Sequence, residues 1–98
     1  MATKTIYGTV SSNGSIISGS GFIVQKQNTG TYLIDFEPGF SQTPAVVGSQ
    51  TGYGNIDENP LDNVVFPYIN QGSTTALTAD SSGHKKDRQF SFIAIGEQ

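Results

Sequence analysis

The sequence predicts an all-β domain, an antiparallel β-sandwich or jelly roll, and three observations predict it. No segment sustains a 3.6-residue apolar period, whereas alternation with a period of two is common. Turn residues punctuate the chain about every 8–12 residues, the spacing of strands in sandwiches. The composition agrees: 11 Ser, 10 Thr, 6 Asn and 7 Gln with 12 Gly and 4 Pro account for half of the 98 residues. Such a chain is no helical bundle, coiled coil, collagen segment, disulfide scaffold or helical membrane span. It is not a disordered one either, because 6 Phe and 4 Tyr recur with Ile and Val at regular intervals and supply a core. A chain of 98 residues fits one domain, residues 1–98.

Strands are predicted at about 4–10, 15–18, 22–27, 31–37, 45–51, 63–69, 74–80 and 88–96. Ser11-Ser12-Asn13-Gly14 joins the first two, and Asn-Gly is a strong hairpin signal because both residues tolerate positive φ. Asn13-Gly14-Ser15 also fits a glycosylation sequon, but the turn already accounts for it. Gly19-Ser20-Gly21 starts like a dinucleotide-binding loop, yet it lacks the third Gly and leads into the β-branched, aromatic run Phe22-Ile23-Val24 instead of a helix. It reads as a turn entering the third strand. Gln27-Asn28-Thr29-Gly30 turns the chain into the fourth, where Tyr32, Ile34 and Phe36 share one face and Thr31, Leu33 and Asp35 the other. In the sixth strand Val64, Phe66 and Tyr68 are expected on one face, and Pro67 favours an edge position or a bulge. Asn70-Gln71-Gly72-Ser73 makes a further tight turn. The last strand sets Phe90, Phe92 and Ala94 on one face and Ser91, Ile93 and Ile95 on the other.

That last strand is apolar on both faces near its end. One face can line the core, and the other needs cover from loops of the chain or, more simply, from a neighbouring subunit. A domain this small hides only about 60–65% of its unfolded surface, so a homo-oligomer is expected.

Charge narrows the partners. Five Lys and Arg against eight Asp and Glu give a net charge of −3, which suits neither nucleic acid nor insertion into or binding of an anionic membrane. Cys is absent, so neither disulfides nor thiol chemistry enter, and the redox compartment stays open. Met1 to Ile6 lacks the apolar run of a signal peptide. No cofactor or metal is expected. His84 is the one His, which leaves no His pair for a metal and, with no Gly-x-Ser-x-Gly elbow, no support for a Ser–His–Asp triad. Asp35 and Glu37 are two apart and could pair for glycoside hydrolysis, but a shallow sandwich offers little cleft to shield them. Enzyme activity is not expected.

The longest irregular stretches, 52–62 and 81–87, are where a binding function belongs. The first holds Asp57, Glu58 and Asp62 among Asn55, Asn59 and Asn63. Its spacing superficially echoes a calcium loop, but Pro60 stands where that loop needs Gly, so a solvated acidic loop is the better reading. The second carries the basic cluster His84, Lys85, Lys86 and Arg88, able to meet an anion or a sugar, or simply to be a solvated turn that discourages edge pairing. Sugar sites use aromatic faces and a few Asn, Asp, His or Arg hydrogen bonds. Tyr53, Asn55, Asp57, His84 and Arg88 supply those types and are the candidate ligand-binding residues.

The stretch Phe36-Glu37-Pro38-Gly39-Phe40-Ser41-Gln42-Thr43-Pro44-Ala45-Val46-Val47 resembles H-type lectins: a strand ends in Phe, a turn brings a second aromatic, and Pro opens a strand of small and β-branched residues. Phe90-Ser91-Phe92-Ile93-Ala94-Ile95 resembles the closing strand of that family, which follows a loop carrying a His. The run from Gly19 to Phe36 is also similar to trimeric head domains of phage tail fibres and bacterial collagen-like proteins. The resemblance implies a sandwich of six to eight strands, a homotrimer, an extracellular or virion-surface setting, and shallow glycan sites near subunit boundaries. On the lectin pattern His84 takes the place of the sugar-contacting His, with Gly83 where that family has an aromatic and no Arg at 63–66. A structural head or spike domain without a ligand is the alternative.

Overall fold

The computed structural model describes residues 2–52 and 59–98. Eight strands form: β1 (Thr3–Val10), β2 (Ile16–Gly19), β3 (Phe22–Asn28), β4 (Thr31–Phe36), β5 (Ala45–Gln50), β6 (Asn63–Ile69), β7 (Ser73–Ala79) and β8 (Phe90–Glu97). They build two four-stranded antiparallel sheets, β2-β1-β8-β5 (sheet A) and β3-β4-β7-β6 (sheet B). The chain is thus an antiparallel β-sandwich, with strands where the period-two pattern and the Gly and Asn turns put them. Gly14, Gly19, Gly21 and Gly30 all adopt positive φ, so these turns need Gly.

Alternation sorts the side chains between core and surface. Tyr32, Ile34 and Phe36 of β4 and Phe90, Phe92 and Ala94 of β8 are buried between the sheets, joined by Ile6, Val10, Phe22, Phe40, Val64 and Ala76. One row explains how so small a core holds so many rings. Phe92 lies in register with Gly8 on one side and Gly48 on the other. Phe22 and Phe66 of the opposite sheet occupy the space that a Cβ at Gly8 or Gly48 would need. Phe22 meets Phe92 edge to face, 5.0 Å between centroids and 78° between planes, a favoured aromatic arrangement. Tyr32 packs on Phe90 at 5.2 Å and Phe36 on Phe40 at 5.1 Å.

Two details depart from the sequence expectation. β6 is an edge strand, and its register slips between Val65 and Tyr68, around Pro67. The extra residue reverses the alternation, so Val64 is buried while Tyr68 is 72% exposed rather than sharing its face. β8 starts at Phe90 instead of residue 88, because its ladder with β5 ends at the Gln50–Phe90 pair; before it, the Gln89 carbonyl accepts the Thr51 N–H at 3.1 Å and the Arg88 side chain meets Asp62.

The two ends of the sandwich differ. One holds the tight turns 19–21 and 70–72 and the 37–44 connection, where Lys4 Nζ donates to the carbonyls of Pro38 and Gly39 at 2.8 and 2.9 Å and lies over the Phe40 ring. The other gathers the 11–15 and 28–31 turns, the described residues 51–52 and 59–62 on either side of the undescribed stretch before β6, and the segment before β8.

Candidate functional site

The second end is held together by a polar framework. Tyr32 Oη, rising from β4, donates to the Ser12 carbonyl at 2.7 Å and fixes the 11–15 turn over the core. Within that turn the Gly14 N–H donates to the Ser11 carbonyl at 2.9 Å. Burial first, and then the nearby Asp87 charge, hold the Tyr32 phenol above its ordinary value of 10.0. The Asp87 carboxylate accepts the Gly30 N–H at 2.8 Å and pairs with Lys26 at 3.2 Å, tying the β3–β4 turn to the segment before β8. Gln50 reaches from the end of β5 to the opposite sheet, its Nε2 donating to the carbonyls of Asn63 and Ala79 at 2.6 and 2.8 Å.

Arg88 and Asp62 form an inward ion pair at 2.9 Å, with side chains 15% and 3% exposed. Asp62 is therefore not part of a solvated acidic loop: it is buried, and its charge is matched by a guanidinium. Arg88 Nη1 also reaches Gln50 Oε1 at 3.5 Å, which links the pair to the cross-sheet amide.

Ser11, Ser12, Gly52, Asp87, Arg88 and Gln89 line an open polar cavity of about 330 Å³ above this framework. Of the candidate residues, Arg88 lines it. His84 does not; it sits on the 80–84 turn with its side chain 80% exposed and Nδ1 3.8 Å from Asp80 Oδ2. The Asp80 carboxyl is held below its usual value by the His84 backbone N–H, with help from the Ser82 N–H and the charges of His84 and Lys86. Tyr53, Asn55 and Asp57 lie outside the described residues, in the segment that follows the lining residue Gly52. Asp35 faces outward on β4, and neither it nor Glu37 lines the cavity.

No family model, curated protein or solved structure matches the chain.

Sequence reasoning missed Ser11, Ser12, Asp87 and Gln89. The Ser pair was visible only as turn chemistry, and Asp87 and Gln89 only as neighbours of the basic cluster. Their convergence depends on which turns share an end of the sandwich, and strand order decides that. Chemically, the cavity offers a carboxylate acceptor, a guanidinium donor, an amide that does both, and two hydroxyls. Among the described residues, no three His, Asp or Glu gather to hold a metal ion.

Proposed function

We propose that this chain is a lectin-like recognition domain that binds glycans in the cavity between the 11–15 turn and the segment before β8, and that it works as a homo-oligomer, a trimer by its resemblance to H-type lectins and tail-fibre heads. The observation that carries the reading is the lining itself. Sugar hydroxyls donate and accept at once, and Ser11, Ser12, Asp87, Arg88 and Gln89 present both functions around one open cavity. Its volume is at the low end of small-ligand sites, ~300 Å³ and upward, which suits a shallow site of modest affinity. Tyr53, next in sequence to Gly52, is the candidate for stacking on a sugar face.

The test is a glycan array probed with clustered copies of the chain, followed by titration of any hit. Asp87→Asn and Gln89→Ala are expected to weaken binding about tenfold or more each, the equivalent of one lost hydrogen bond to a charged or oriented group. Arg88→Ala is a poor probe, because it strands the Asp62 carboxylate. If Asp87→Asn and Gln89→Ala bind as the parent does while His84→Ala does not, the site is the 80–86 turn instead. The second reading, a structural head or spike domain, is favoured by one observation, the exposed apolar row of Tyr7, Ile93 and Val47 across sheet A. It becomes the better account if no glycan binds under clustered presentation.

A further inference from the structure

On β1, β8 and β5 the outward positions of sheet A are Thr3, Thr5, Tyr7 and Thr9, then Ser91, Ile93, Ile95 and Glu97, then Ala45, Val47 and Ser49. Glu97 is the one charge among them and stands at the end of the face beside Thr3; the rows from Thr5 to Thr9 carry none. Tyr7 and Val47 are each 64% exposed, and Ile93 and Ile95 nearly half. Tyr7, Ile93 and Val47 lie in one register row across β1, β8 and β5. On the β5 side of that row Val47, Ser49, Ser91 and Ile93 rim an apolar dimple of about 260 Å³. A protruding ring and a hollow for one thus sit on opposite sides of the same central strand.

We propose that this face is where copies of the chain associate, closing around an axis that runs along the strands, with Tyr7 of each copy seated in the Val47–Ile93 dimple of the next. A second copy is the occupant because the surface is self-complementary in that way: each copy offers the knob on one flank and the hole on the other. Strands of eight residues in a body 21 Å wide give a face of roughly 500 Å² per copy at about 3.3 Å per residue. A ring divides that face between two neighbours, so each contact takes roughly 500 Å² in all, small for a specific interface, and closure, in which every copy makes two such contacts, holds the assembly together.

The opposite surface is the poorer choice. Sheet B turns Asp35, on the inner strand β4, outward, and self-association there would set like charges against each other. Packing sheet A of one copy on sheet B of the next would not close either, because the two faces point in opposite directions and repetition gives an open fibre. The uncharged middle of the face also lets acidic copies meet where their repulsion is weakest.

The experiment is sedimentation equilibrium of the chain, free of any sugar, across the micromolar range, with circular dichroism to confirm the strand fold. The parent chain is expected to give a small multiple of 10.4 kDa. Tyr7→Ala is expected to weaken association at least tenfold, Val47→Lys to leave a folded monomer, and Val65→Lys on sheet B to associate as the parent does. If Val47→Lys does not fold, Ser49→Lys on the same face repeats the test with a polar residue at the start. A monomeric parent chain, an associated Val47→Lys or Ser49→Lys protein, or dissociation by Val65→Lys alone overturns the proposal. None of these outcomes depends on sugar binding.

Discussion

At the scale of single residues, the sequence displays its Gly but not the reason for each. Gly14 and Gly30 are legible as turn residues, whereas Gly8 and Gly48 look like interruptions of strands. The fold shows them instead as the hollows that admit Phe22 and Phe66 beside Phe92. Gly8→Ala is therefore expected to cost about 1–3 kcal/mol by overpacking, read as a lower urea midpoint at unchanged slope. Gly72→Ala, where a Cβ would meet no atom closer than 3.8 Å, is expected to have little effect in the same assay. Arg88 and Asp62 carry the same lesson: sequence separates them by a long loop and gives no sign that they pair. Asp62→Ala removes the carboxylate that Arg88 meets at 2.9 Å, and losing a hydrogen bond between charged groups is expected to cost about 1.5–3 kcal/mol, read as a lower urea midpoint. Tyr32 adds a pH dependence. Burial holds its phenol above 10.0 in the folded chain, so its contribution is complete below that value and is lost as pH rises through the folded pKa. Urea midpoints are expected to fall above about pH 10, and Tyr32→Phe, which loses the bond to the Ser12 carbonyl and about 0.5–1.5 kcal/mol, is expected to flatten that alkaline fall.

At the scale of elements, all eight strands were legible, because each combines alternation with a turn residue at its end. What alternation cannot foresee is a change of register within a strand. Pro67 announced an edge or a bulge, and β6 has both, yet the reversal of Tyr68 to the outside follows only from the extra residue. The same limit applies to the site. The segment before β8 is marked as a loop by its sequence, but the lining residues of the cavity come from three separate stretches, 11–12, 52 and 87–89. Only the order β2-β1-β8-β5 over β3-β4-β7-β6 brings Ser11 and Ser12 beside Asp87 and Gln89. β8 illustrates how element and proposed assembly connect: its Phe90, Phe92 and Ala94 face builds the core, and its Ile93 and Ile95 face stays about half exposed, where association is proposed.

At the scale of the whole molecule, the cavity and the proposed associating face stand in a geometric relation that yields a last prediction. The cavity lies at one end of the strands, and the proposed axis runs along them. Every copy in the ring therefore presents its cavity toward the same side, at spacings set by a body about 21 Å wide. A shallow site that buries little of its ligand is weak alone, because ordering the sugar and the side chains consumes much of the contact energy. Copies facing one way convert the second and third contacts with a glycan-bearing surface into intramolecular steps, which can raise avidity about 10²–10⁴-fold. The folded Val47→Lys monomer keeps every cavity residue, so its affinity for a free glycan in solution is expected to equal that of the parent chain. Its retention on a dense glycan surface is expected to fall by about two orders of magnitude or more, measured as dissociation rates on surfaces of graded density. Equal retention of the two proteins at high density would show that the cavities do not share a side. Equal loss at all densities, with weakened binding to the free glycan as well, would show instead that the site itself draws on a neighbouring copy.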